Sequence, residues 1–173
     1  MKILFLGDVV GVSGCSKLLS NLKNEIESKK IDFVIVNGEN AASQGVGLNK
    51  EICNDFFNCG VDVITTGNHV WDQKEIMSFV EKEKRLLRPY NLLEPSPGKG
   101  FQVYESSNNL KIGVLNLMGN VFMKKCEDVF EASEKFMKQY KLKDDYDLLV
   151  VDFHGEITSE KNAIGHFFDG KAS

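Results

Sequence analysis

Six residues of types that hold metal ions and move protons recur in one kind of place along this chain. Asp8, Glu39, Asn40, Asn68, His69 and His154 each follow a short apolar run rich in Val, Ile, Leu or Phe. Two carboxylates, two carboxamides and two imidazoles make a mixed oxygen and nitrogen donor set. Such a set suits manganese, iron, zinc or nickel rather than calcium. A carboxylate such as Glu39 can bridge two ions roughly 3.5–4 Å apart, and such a pair can activate one water and clamp a phosphate. Gly7, Gly38 and Gly67 adjoin these positions, where they let the backbone turn sharply and a substrate approach.

Each position alone has an ordinary reading. Asp8 in Gly-Asp-Val-Val-Gly can simply cap a turn, and Glu39-Asn40 can close one through side-chain hydrogen bonds. A lone His154 fits a satisfied core histidine. Gly67-Asn68-His69 is sharper, because Asn-His at a strand end has little packing purpose. What favours a site is the coincidence of four such motifs at four strand ends.

The elements that must position them alternate between strand and helix patterns. The expected strands are Lys2–Leu6, Phe33–Val36, Val61–Thr65 and Asp147–Val151. A helix over Ser16–Lys29 carries Leu18, Leu19, Leu22 and Ile26 on one face. Another, about Asn49–Cys59, stops at Gly60. A third is expected from Asp72 as N-cap, burying Ile76, Phe79 and Val80. Phe101–Glu105 and Leu110–Leu117 flank Ser106-Ser107-Asn108-Asn109 as a hairpin. Helices Glu127–Tyr140 and Ser159–Phe168, the latter capped by Thr158, complete the series. Such βαβ units give an α/β fold whose parallel strand ends share one edge, where ligands bind.

The 173 residues fit a single domain, 1–173, able to bury its own core. With 42% hydrophobic and 27% charged residues the composition is that of a soluble globular protein. No run approaches the ~20 apolar residues of a membrane span, and the apolar N-terminus is too short for a signal peptide, so a cytoplasmic location is expected. Cys15, Cys53, Cys59 and Cys126 are scattered and read as reduced thiols. A net charge of -4 with interleaved lysines and acids excludes a protein that grips long nucleic acid. It leaves a short RNA end or small nucleotide open.

In order along the chain stand Gly7-Asp8-Val9-Val10-Gly11, Asn37-Gly38-Glu39-Asn40-Ala41-Ala42, Gly67-Asn68-His69-Val70-Trp71-Asp72 and Arg88-Pro89 with Asn91. Pro97-Gly98-Lys99-Gly100 and Asp152-Phe153-His154 with Thr158-Ser159-Glu160-Lys161 follow. The whole series resembles the YmdB-like branch of the calcineurin-like metallophosphoesterases. That resemblance implies a four-layer α/β/β/α sandwich and hydrolysis of phosphodiesters, cyclic nucleotides among them. It implies a dinuclear centre of two divalent ions, iron, manganese or zinc. Asp8, Glu39, Asn40, Asn68 and His154 match the metal ligands, and His69 matches the histidine that protonates the leaving oxygen.

One departure qualifies the match. The family chain continues past the position of Ser173 into a strand and a Gly-Thr-His-Thr-His segment, whose histidines complete the two metal sites. The domain is therefore expected to be incomplete, with its C-terminal strands missing, an unpaired sheet edge and exposed apolar surface. His166, on the last helix, reads as a surface or packing residue. The principal alternative is a weak or inactive truncated paralogue that binds metal or nucleotide, or a protein partner. A flavodoxin-like nucleotide module without metal also fits the βαβ pattern, but leaves Glu39-Asn40 and Asn68-His69 unexplained. Oligomeric state, homo-oligomer included, stays open. Trp71 can stack on a base or pack on the sheet. Pro97–Gly100 can cradle phosphate or simply turn. Phe122, Met123 and Phe130 can form a lid or dimer contact, but their helical spacing makes the core the default reading.

Overall fold

β-Branched and aromatic residues dominate the apolar runs, and in the computed structural model, which describes residues 1–173, those runs form two small sheets. The first sheet has the order β1 (Ile3–Leu6), β2 (Phe33–Asn37), β3 (Val63–Thr65), all parallel. The second has the order β4 (Phe101–Glu105), β5 (Lys111–Met118), β6 (Leu148–His154). The β4–β5 pair is the expected antiparallel hairpin, and β5–β6 is parallel. Four helices complete a mixed α/β fold: α1 (Gly11–Lys29), α2 (Lys50–Cys59), α3 (Val129–Gln139) and α4 (Thr158–Phe168).

Strand alternation decides which side chains meet. Val34 and Val36 of β2 join Leu18 and Leu22 of α1 and Cys53 and Phe56 of α2 in one buried cluster. Phe33 and Ile35, on the opposite face of β2, join Ile112 and Val114 of β5 in a second. Leu115 and Leu117 of β5 meet Phe136 of α3 and Ile164 and Phe168 of α4 in a third. Each such fully buried side chain contributes about 1.5–3 kcal/mol.

The boundaries differ from expectation in instructive places. Helix α1 begins at Gly11, five residues early. No side chain caps it; instead the Gly11 N–H donates to the Asn40 carbonyl at 2.8 Å, so tertiary contact fixes its start. The helix expected from Asp72 is a single 3-10 turn, Lys74–Ser78. Asp72 caps nothing, because its carboxylate is taken by His69 and Lys124. The apolar spacing of Ile76, Phe79 and Val80 imitates a longer helix. Strand β6 runs three residues past Val151, since Asp152, Phe153 and His154 pair with Asn116, Leu117 and Met118 of β5. Thr158 is the first helical residue of α4, not its side-chain cap.

β1 and β6 are edge strands. A cleft of about 1010 Å³ runs along them, lined by Ile3, Leu149, Val151, Phe153 and Ile164 among others. No helix is long and apolar enough to cross a membrane.

Candidate metal centre

Parallel pairing puts the C-terminal ends of β1, β2 and β3 on one edge of the first sheet. Asp8, Glu39-Asn40 and Asn68-His69 follow those ends directly. Val10 bridges to Asn40 and draws the Asp8 turn inward. His154, the last residue of β6, arrives from the second sheet.

Five side chains form one continuous chain of contacts. Asn40 Nδ2 donates to Asp8 Oδ2 at 2.6 Å and, more weakly, to Glu39 Oε1 at 3.4 Å. Glu39 Oε1 lies 3.0 Å from His154 Nδ1. The other His154 nitrogen, Nε2, lies 2.6 Å from Asn68 Oδ1. The His69 imidazole points elsewhere: its Nδ1 is 2.6 Å from Asp72 Oδ2, while only its backbone N–H approaches Glu39, at 3.5 Å. All five expected ligands thus come together, and His69 stands beside them with its ring held by a different group.

Glu39 is the centre of this chain and is 1% exposed. Burial, reinforced by the Asp8 and Asp152 carboxylates, pushes its carboxyl up to about 8. Burial likewise pushes the His154 imidazole down, against the opposing pull of Asp8. The two shifts agree: at neutral pH the metal-free pair is mostly an uncharged acid beside a neutral imidazole, not an ion pair. Asp72 is held below the usual carboxylate range, first by its hydrogen bond with His69 and then by Lys124.

The donors present fit a divalent cation on three grounds. Asn40 Oδ1 is buried with no hydrogen-bond partner, an acceptor that a cation would satisfy. No lysine or arginine neutralises the buried Glu39, whose only close charged-type partner is His154. A Cβ at Gly67 would overlap Glu39 Oε2 and fall 2.6 Å from His154 Cγ, so only glycine leaves these two side chains room. No three His, Cys, Asp or Glu side chains form a ready-made cage. The carboxamides of Asn40 and Asn68 supply the links between them.

A second polar cluster, which leaves no signal in the sequence, joins the two sheets just behind this site. Asn37 Nδ2 donates to Asp152 Oδ2 at 2.9 Å, and Thr66 N–H donates to Asn116 Oδ1 at 3.0 Å. Glu160, in the first turn of α4, is buried and accepts from the Asn120 and Val121 N–H groups.

The remaining motifs are structural. Arg88 is buried and donates to the carbonyls of Pro89, Tyr90 and Ser96 and to Glu94. Asn91 fixes Met118 through both its donor and its acceptor. Trp71 packs against the first core cluster. Gly98 turns at φ +79, and its N–H donates to Glu81. His166 is exposed. Phe130 packs on the third cluster, but Phe122, expected in the core, is 85% exposed.

Fold and site together define a mixed α/β protein with carboxylate, carboxamide and imidazole side chains gathered at its strand ends. The chain belongs to the YmdB-like protein family, whose model matches residues 4–173. It is 40% identical, over all of its length, to a 2′,3′-cyclic-nucleotide 2′-phosphodiesterase of Bacillus subtilis. It is 39% identical to a putative phosphatase/phosphodiesterase of Mycoplasma pneumoniae. Among solved structures, a hypothetical protein from Thermus thermophilus superposes on the whole chain with a TM-score of 0.91 at 36% identity. A novel phosphatase from Mycoplasma pneumoniae superposes with a TM-score of 0.89 at 37% identity. The chain spans 64% and 60% of the two curated relatives, and 65% and 62% of the two solved chains.

Proposed function

We propose that this chain is a metal-dependent phosphodiesterase acting on cyclic nucleotides or similar small phosphodiesters. The observation that carries the reading is Glu39, a buried carboxylate with no fixed cation, joined through Asn40 and His154 to Asp8 and Asn68. Asp8, Glu39, Asn40, Asn68 and His154 would hold two divalent ions, iron, manganese or zinc. When bound, these would supply the Lewis acidity that offsets charge building on the phosphoryl oxygens.

The protein's own part is to orient and to move a proton. Asp72 grips His69 Nδ1 and leaves Nε2 as the nitrogen available to a substrate. From there His69 delivers a proton to the departing oxygen, while Asp72 stabilises the imidazolium. Lys124, 3.1 Å from the other Asp72 oxygen, keeps that carboxylate ionised and in place. The same reading takes the two sheets and their flanking helices as a four-layer α/β/β/α sandwich. It is supported by the separation of the core into three buried clusters.

Elemental analysis of the purified chain, with hydrolysis of bis-p-nitrophenyl phosphate in added manganese, tests this. The expected result is about two metals per chain and turnover that falls at least ~100-fold in His69→Ala. One metal or none, with no turnover, would overturn it and leave a metal- or nucleotide-binding or protein-interaction module.

A further inference from the structure

The segment between β5 and α3 arches from one side of the site to the other. It starts where the Gly119 N–H donates to the His154 carbonyl at 2.8 Å. The Asn120 and Val121 N–H groups are then gripped by the buried Glu160 carboxylate, at 2.7 and 3.4 Å. Lys124 Nζ reaches Asp72, the residue that holds His69. Beyond it, the Asn120 side chain donates to Glu127 O and accepts from Val129 N–H, and Cys126 donates weakly to Gly119 O. Both ends of the arch are therefore fixed to the site's own neighbours.

Phe122 sits within this arch, two residues from Lys124, a span of at most about 7 Å between Cα atoms. The residue is 85% exposed and its backbone is left-handed, φ +61. A bulky residue rarely adopts that conformation unless its surroundings impose it. A single exposed apolar residue is ordinary; Phe122 is one in a disfavoured conformation, on an arch whose contacts reach both the His154 backbone and the Asp72 that holds His69.

We propose that Phe122 is a specificity-determining residue whose ring stacks on the nucleobase of the substrate. The proposal rests on the phosphodiesterase reading above. The phosphodiester would lie between the strand ends and His69, with the base turned toward the arch. An aromatic face accepts any base without hydrogen-bond readout, so Phe122 favours nucleotides over base-less diesters more than one base over another.

The test compares kcat/KM for 2′,3′-cyclic AMP with that for glycerol 1,2-cyclic phosphate, which has no base, in wild type, Phe122→Ala and Phe122→Tyr. The expected outcome is that Phe122→Ala lowers the nucleotide-to-glycerol ratio by about 5- to 100-fold, chiefly through KM, and that Phe122→Tyr restores it. An unchanged ratio, or equal loss on both substrates, would overturn the proposal. So would wild-type turnover of the glycerol diester without any preference for the nucleotide, which leaves the phosphodiesterase reading intact. Wild-type inactivity on both diesters would overturn that reading and this proposal with it.

Discussion

Two buried carboxylates lie near one another between the sheets, and their surroundings differ in a way that separates architecture from chemistry. Asp152 sits within β6 and receives a short hydrogen bond from Asn37, in a cluster whose members bond across the sheet interface. Glu39, just past β2, is buried more completely, 1% exposed against 9%, but has a histidine and weak, long N–H contacts for partners. Burial raises both carboxyls. The Asp152 carboxylate has an amide donor of its own, whereas beside Glu39 the Asn40 Oδ1 has no hydrogen-bond partner. A buried acid left in that condition is a candidate ligand; one with a dedicated amide partner is a joint between sheets.

The sharpest way to break that distinction is at Gly67. Gly67→Ala puts a methyl group into Glu39 and His154, and manganese affinity should fall at least ~100-fold by isothermal titration, since ligand geometry is lost. Retained binding would mean that Glu39 and His154 are not ligands. Glu39→Gln should also abolish binding, yet raise the thermal midpoint of the metal-free chain at pH 8, because a buried charge is removed. A lower midpoint would place Glu39 with Asp152 among structural acids.

The pH dependence has a definite sign. With the Glu39 carboxyl near 8 in the fold and near 4.5 when unfolded, the folded state holds the extra proton between those values. Its penalty therefore grows as pH rises and is complete above about 8. His154, pushed below 6.5, has its unfavourable charging only on the acid side of that value. Between pH 6.5 and 9 the metal-free chain should lose about 1–2 kcal/mol in urea melts. The profile should flatten in Glu39→Gln. Asp152→Asn should cost about 1–2 kcal/mol through the weakened pairing with Asn37, with metal affinity changed less than about threefold. The smallest effect is His166→Ala, within about 0.5 kcal/mol and without change in metal content.

The strand ends were legible because each candidate ligand follows an apolar run whose burial fixes its place. The Val-Ile-Val of β2 cannot lie elsewhere, so Glu39 and Asn40 must emerge at the sheet edge. The Asn37–Asp152 bond joins residues 115 apart and leaves no periodic trace. Asp72 misled because an acid before a 3,4-spaced apolar pattern looks like a cap, and only the fold shows His69 and Lys124 claiming it. Glu160 holds two amides of an arch about 40 residues distant in sequence, a contact that helical position alone does not disclose.

That arch carries its own clock. Burial pushes the Cys126 thiol up to about 11, and its sulfur is engaged by Asn91, Asn120 and Gly119. Near neutral pH almost none of it is thiolate, so alkylating reagents react with it slowly while the segment stays seated. A variant that unseats the arch, such as Glu160→Gln, should therefore label faster at Cys126 than the wild type.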